Sequence, residues 1–137
     1  MRRIDLIAAG AVVLAASPAR ANDDSTGGAA LNIAGVGLPV IAGGRIRNYV
    51  FVTIRLHLGA GQTAETMRPK DPFFRDAIVR AAHRTPFTLA EDWTQLNAQA
   101  ISATLMRVAP GIAGRGAVTR AEVLIQAPRR RTGVRAG

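Results

Sequence analysis

Between Arg45 and Leu58 the chain alternates. Ile46, Val50, Val52, Ile54, Leu56 and Leu58 fall on one parity, and Arg45, Arg47, Thr53, Arg55 and His57 fall on the other. A period of two belongs to a half-buried β-strand, whose successive side chains point to opposite faces. Such a strand needs a neighbour to pair with and a layer to cover its apolar side. Tyr49 and Phe51 stand on the polar parity, so that face is expected to be partly covered as well. Gly59-Ala60-Gly61 ends the strand.

The flanking segments supply the rest of the layer. Leu31 to Ile41 is apolar but broken by Gly35, Gly37 and Pro39, which fits a short edge strand because proline cannot donate to an interior ladder. Gln62 to Arg68 has room for a helical turn or two. Asp71-Pro72 then predicts a helix start, with Asp71 as the cap and Pro72 in the first turn. Phe74, Ala77, Ile78, Ala81 and Ala82 follow at helical spacing, with Asp76 and Arg80 one turn apart outside, and Thr85-Pro86 closes the helix. A further helix is expected from about Thr88, carrying Leu89, Trp93, Leu96, Ala100, Ile101, Leu105 and Val108. Asn97-Ala98-Gln99 would form its polar face, Trp93 would anchor it in the core, and Pro110-Gly111 would stop it. Val118 to Ala127 reads as a last strand, with Ala121, Val123 and Ile125 on one face and Arg120, Glu122 and Gln126 on the other. The expected fold is therefore α+β, a small sheet with two or three helices on one face, in one domain over residues 31–127. Residues 22–30 read as a flexible polar leader, and residues 128–137 as an Arg-rich disordered tail.

The N-terminus narrows the compartment. Arg2 and Arg3 form a positive n-region, Leu6 to Ala16 an apolar run, and Ser17-Pro18-Ala19-Arg20-Ala21 an A-x-A cleavage pattern with Ala19 and Ala21 as its small residues. Residues 1–21 are thus expected to be a signal peptide of either the Sec or the Tat route. The apolar run falls well short of the roughly 20 residues a membrane-spanning helix requires. Cleavage takes away Arg2, Arg3, Arg20 and Asp5 and lowers the formal charge from +9 to +7. The expected location is the periplasm, free or associated with the inner membrane.

That charge comes almost wholly from arginine, since Lys70 is the only lysine. Arginine binds carboxylates and phosphates through a planar fork, so the partner is expected to be anionic. Export removes nucleic acid from the expected partners and leaves the anionic inner-membrane surface, envelope polymers or an acidic protein. Arg129, Arg130, Arg131 and Arg135 are the candidate contacts. Candidate chemistry is sparse. There is no cysteine, and the two histidines, His57 and His83, read as solvated surface groups. Asp71 and Asp76 are accounted for by capping and ion pairing, and Ser102 lacks the context of a nucleophile. The glycines from Gly111 to Gly116 follow a helix rather than a strand, the reverse of a phosphate loop. No catalytic residue, metal site or cofactor is expected.

Asn48-Tyr49-Val50-Phe51-Val52-Thr53-Ile54-Arg55-Leu56 resembles the first strand of the flagellar basal-body-associated FliL family. Asp71-Pro72-Phe73-Phe74-Arg75-Asp76-Ala77-Ile78-Val79 resembles its helix, and Thr85-Pro86-Phe87-Thr88-Leu89 the link after that helix. A long helix with Leu96 and Ile101 comes next, and Val123-Leu124-Ile125-Gln126 resembles the closing strand. The resemblance covers about residues 31–126 and implies a stomatin-like periplasmic domain. It also implies a non-enzymatic accessory role beside the flagellar stator or basal body, carried out by protein contact. A homo-oligomer is compatible with this reading.

Overall fold

In the computed structural model the described residues are 28–131. The expected signal peptide with Ala19 and Ala21, most of the leader, and the tail from 132 onward with Arg135 lie outside them. The fold is α+β. Strand β1 (Ala30–Ala42) and strand β2 (Arg45–Leu58) form a hairpin, followed by a single-turn helix α1 (Ala64–Met67), a 3-10 turn (Arg68–Lys70) and helix α2 (Asp71–Arg84). Helix α3 (Ala98–Ala113) and strand β3 (Val118–Pro128) complete the chain. The sheet is antiparallel throughout, in the order β1-β2-β3, so the alternating strand is central.

The hairpin closes on Gly43 and Gly44, with φ of 63° and 74°; two successive positive φ values are what a two-residue turn of the favoured hand requires. Val50, Val52, Ile54, Leu56 and Leu58 turn inward beneath the helices, which contribute Phe74, Ile78 and Ala82 from α2 and Ile101, Leu105 and Ala109 from α3. Leu31, Ile33, Val36, Leu38 and Val40 of β1 join the same core. β1 is an edge strand as expected, but it is 13 residues long rather than short. It begins within the expected leader, where the Ala29 carbonyl already accepts from Leu58 N–H at 3.0 Å.

Single-residue bulges reverse the alternation at the ends of the sheet. Val40 pairs with Asn48 and Ile41 with Ile46, which leaves Arg47 as an extra residue in β2 and turns Ile46 outward, 49% exposed. In β3, Thr53 pairs with Ile125 and Ile54 with Val123, so Leu124 is extra. Beyond it Ile125 moves to the open face, 56% exposed, and Gln126 takes the inward position opposite Val52. The core positions expected of Ile46 and Ile125 are therefore corrected.

Helix α3 begins ten residues later than Thr88. Leu89, Trp93 and Leu96 have helical spacing, yet residues 85–97 are tied to the sheet by bonds a helix would forfeit. Thr88 Oγ1 accepts from Ile41 N–H at 2.9 Å and donates to Ile41 C=O at 2.8 Å. The Gln126 amide accepts from Leu96 N–H at 2.7 Å and donates to Leu96 C=O at 3.3 Å. Asn97, expected on a polar helix face, is instead the N-cap, accepting from Ala100 N–H. Pro110 lies inside α3 rather than ending it. It removes only one helical donor, and Ile112 and Ala113 beyond it pack on the core until Gly114, at φ 99°, closes the helix on the Pro110 carbonyl. Asp71 is the first helical residue of α2 rather than its cap, and its carboxylate accepts from Arg75 Nε at 2.7 Å.

Candidate arginine-rich contact site

The bulge at Arg47, the end of β3 and the loop before α3 meet at one corner of the molecule. Its organiser is Asn48, a polar residue on the apolar parity of β2 and only 4% exposed. A buried side-chain amide is tolerated when its hydrogen-bonding capacity is met, and here it is. Nδ2 donates to Trp93 C=O at 2.9 Å and to Arg130 C=O at 3.2 Å. Oδ1 accepts from Tyr49 N–H at 2.9 Å and from Arg130 N–H at 3.1 Å. One amide thus ties together the central strand, the Trp93 loop and the segment after β3. The Arg129 N–H adds a bond of 2.8 Å to Tyr49 C=O.

The consequence is electrostatic. Holding the main chain of Arg129 and Arg130 places both arginines beside Arg47, around a notch of about 110 Å³ whose walls also include Ile46, Asn48 and Tyr49. No carboxylate lines it. Arg45 precedes the notch in β2 and Arg131 follows it, both exposed. Arg47 itself is fixed: its Nε donates to Ala42 C=O at 3.0 Å, and its guanidinium carbon stands 5.3 Å from the centroid of the Trp93 ring. At that distance a cation–π attraction contributes about 0.5–1 kcal/mol. Trp93 is thus half-buried: it packs against the core as expected, and its ring also seats the Arg47 cation. Of the arginines expected to make surface contacts, Arg129 and Arg130 begin as an ordered extension of the sheet, and Pro128 belongs to β3.

Of the other titratable groups, Asp92 shares the Trp93 loop but does not line the notch, and neither do His57, Glu122, His83 or Asp76. On the open face His57 pairs across the strands with Glu122, Nε2 to Oε1 at 2.9 Å, and Arg120 Nη2 lies 3.2 Å from the same oxygen. His57 is thus hydrogen-bonded beside the Arg120–Glu122 ion pair rather than freely solvated. The hydrogen bond from His57, aided by the charges of Arg120 and Arg55, holds the Glu122 carboxyl below the usual carboxylate range. Such a group is ionised near neutral pH and is ill suited to donate a proton there. Asp92 is likewise lowered, by hydrogen bonds from the Thr94 hydroxyl and backbone. His83 Nδ1 lies 3.0 Å from Val79 C=O, and Asp76 pairs with Arg80 at 2.8 Å. Among the described residues no three His, Cys, Asp or Glu side chains gather to hold a metal ion, and no helix is long and apolar enough to cross a membrane.

The organising residue was not among the candidates read from sequence. Its signal was there: Asn48 is the one polar residue on the inward parity between Ile46 and Leu58. No family model, curated protein or solved structure matches the chain.

Proposed function

We propose that this protein works by contact: a non-enzymatic exported accessory whose arginine corner docks an acidic surface. The observation that carries the reading is the Asn48 clamp, which holds Arg129 and Arg130 beside Arg47 where no carboxylate lines the notch. Arginines fixed in this way lose less conformational entropy on binding than those of a loose tail. The resemblance of residues 31–126 to the FliL family makes the acidic surface a protein of the flagellar stator or basal body, met in the periplasm, and the domain a stomatin-like one. In a flagellated host, Arg129→Gln/Arg130→Gln is expected to lower swimming and swarming as far as deletion of the gene does. Unchanged motility in both strains would refute the motor role.

A second reading is supported by the clustering of Arg45, Arg47, Arg129, Arg130 and Arg131 at one end of the molecule. There they would meet an anionic membrane surface, each contributing about 1 kcal/mol at low salt. In this case the protein co-sediments with phosphatidylglycerol vesicles and is released by salt, and the same double variant loses the binding while motility is unaffected.

A further inference from the structure

A second cavity, remote in sequence from the arginine corner, opens between the C-terminal end of α2 and the middle of α3. It measures about 280 Å³, close to the lower bound for small-molecule sites. Phe87, Ala100 and Ala103 give it apolar walls, and Arg84 and Arg107 stand at its border with no acidic residue among the lining. Both arginines are exposed, and neither guanidinium has an ion-pair or hydrogen-bond partner among the described residues. The fourth element is Thr104, which lines the same cavity and is only 6% exposed. A threonine inside a helix commonly spends its hydroxyl on the carbonyl one turn back. That of Thr104 has no hydrogen-bond partner among the described residues. A hydroxyl that borders a groove and has no protein partner is available to donate to an incoming acceptor.

Two unpaired guanidiniums, the hydroxyl of a buried threonine and an apolar wall are complementary to an anion with an apolar body. We propose that the groove between α2 and α3 binds a small organic monocarboxylate with an apolar body. Its carboxylate lies between Arg84 and Arg107 and accepts from Thr104, and its carbon skeleton lies on Phe87, Ala100 and Ala103. The planar guanidinium fork matches carboxylate geometry. Inorganic phosphate satisfies the arginines but leaves the apolar wall without a counterpart, so a carbon body is required for useful affinity. This site is independent of the contact role proposed above.

The test is a titration of the isotopically labelled protein with sodium hexanoate at fixed ionic strength, followed by amide chemical shifts. Hexan-1-ol and sodium phosphate serve as parallel titrants. Saturable shifts confined to residues 84–87 and 100–107 are expected. The dissociation constant should rise about tenfold or more in Arg84→Gln and in Arg107→Gln, as for loss of a charge-assisted hydrogen bond. Hexan-1-ol and phosphate should each bind at least tenfold more weakly than hexanoate, by the same reasoning. Thr104→Val should weaken binding several-fold with circular dichroism unchanged; if that buried substitution unfolds the protein, the two exposed arginine variants carry the test. Shifts that do not saturate, that centre on residues 129–131, that survive both arginine substitutions, or that hexan-1-ol or phosphate reproduces at equal concentration would overturn the proposal.

Discussion

The two faces of the sheet are built from the same three strands and obey different rules. On the inner face Val50, Val52, Ile54 and Leu56 are almost wholly buried against α2 and α3. On the outer face Phe51 is 42% and Ile125 56% exposed, paired with Ala127 and Thr53, and further along the β2–β3 ladder stand Arg55, His57, Arg120 and Glu122. Burial fixes the inner face, where each position is determined by volume and every lost methylene leaves a void. The outer face is held mainly by backbone pairing, so its side chains are free to carry charge. Asn48 is the point of contact between these regimes. It occupies an inner-face position but uses it to hold the main chain of Arg130, so that the arginine corner is anchored by the strand that anchors the core.

The contrast can be broken most sharply with two phenylalanines. Phe74→Ala on the inner side should cost about 3–5 kcal/mol in urea unfolding, whereas Phe51→Ala on the open side should cost about 1 kcal/mol or less. Similar losses at both sites would mean that the open face is covered. Gly59→Ala should cost about 1–3 kcal/mol or more by the same measurement, because an added Cβ would meet the Gly116 carbonyl oxygen where β2 and β3 close together. Asn48→Ala should cost about 2 kcal/mol, since it leaves the Trp93 and Arg130 carbonyls and two N–H groups without their partner. The smallest effect belongs to the outer face. Glu122 has its carboxyl lowered in the folded state, so its contribution is fully present above the unfolded carboxylate value of about 4.3 and is lost as pH falls through the lower folded value. Glu122→Gln should therefore be less stable than the parent at pH 6 and equal to it at the acid end, as read by thermal unfolding across pH.

What was legible in the sequence follows the same division. The middle of β2 and the whole of α2 obey uninterrupted periods because they lie against the core, and burial leaves little latitude in which residues face inward. The ends of the sheet were misread because one extra residue, Arg47 or Leu124, exchanges inside for outside without altering composition. Residues 85–97 imitate a helix in their apolar spacing. The bonds that decide against one come from Ile41 and Gln126, far away in sequence and invisible to any local window. The Gly43-Gly44 turn between β1 and β2 was not among the expected features, although paired glycines between two apolar segments are its signal. The basic character of the candidate site was plain from the arginine count. Its construction was not, because it depends on a single asparagine whose four partners lie on three separate segments.

Arg129 and Arg130 belong to a built surface and not to a loose tail. Native-state hydrogen exchange at their amides tests it directly, comparing the parent with Asn48→Ala. Both amides are expected to be protected in the parent, and Arg130 is expected to exchange at the open-chain rate once its Oδ1 acceptor is gone, with the amides of Val52 and Ile54 still slow in the variant. Open-chain exchange at Arg129 and Arg130 in the parent itself would contradict it.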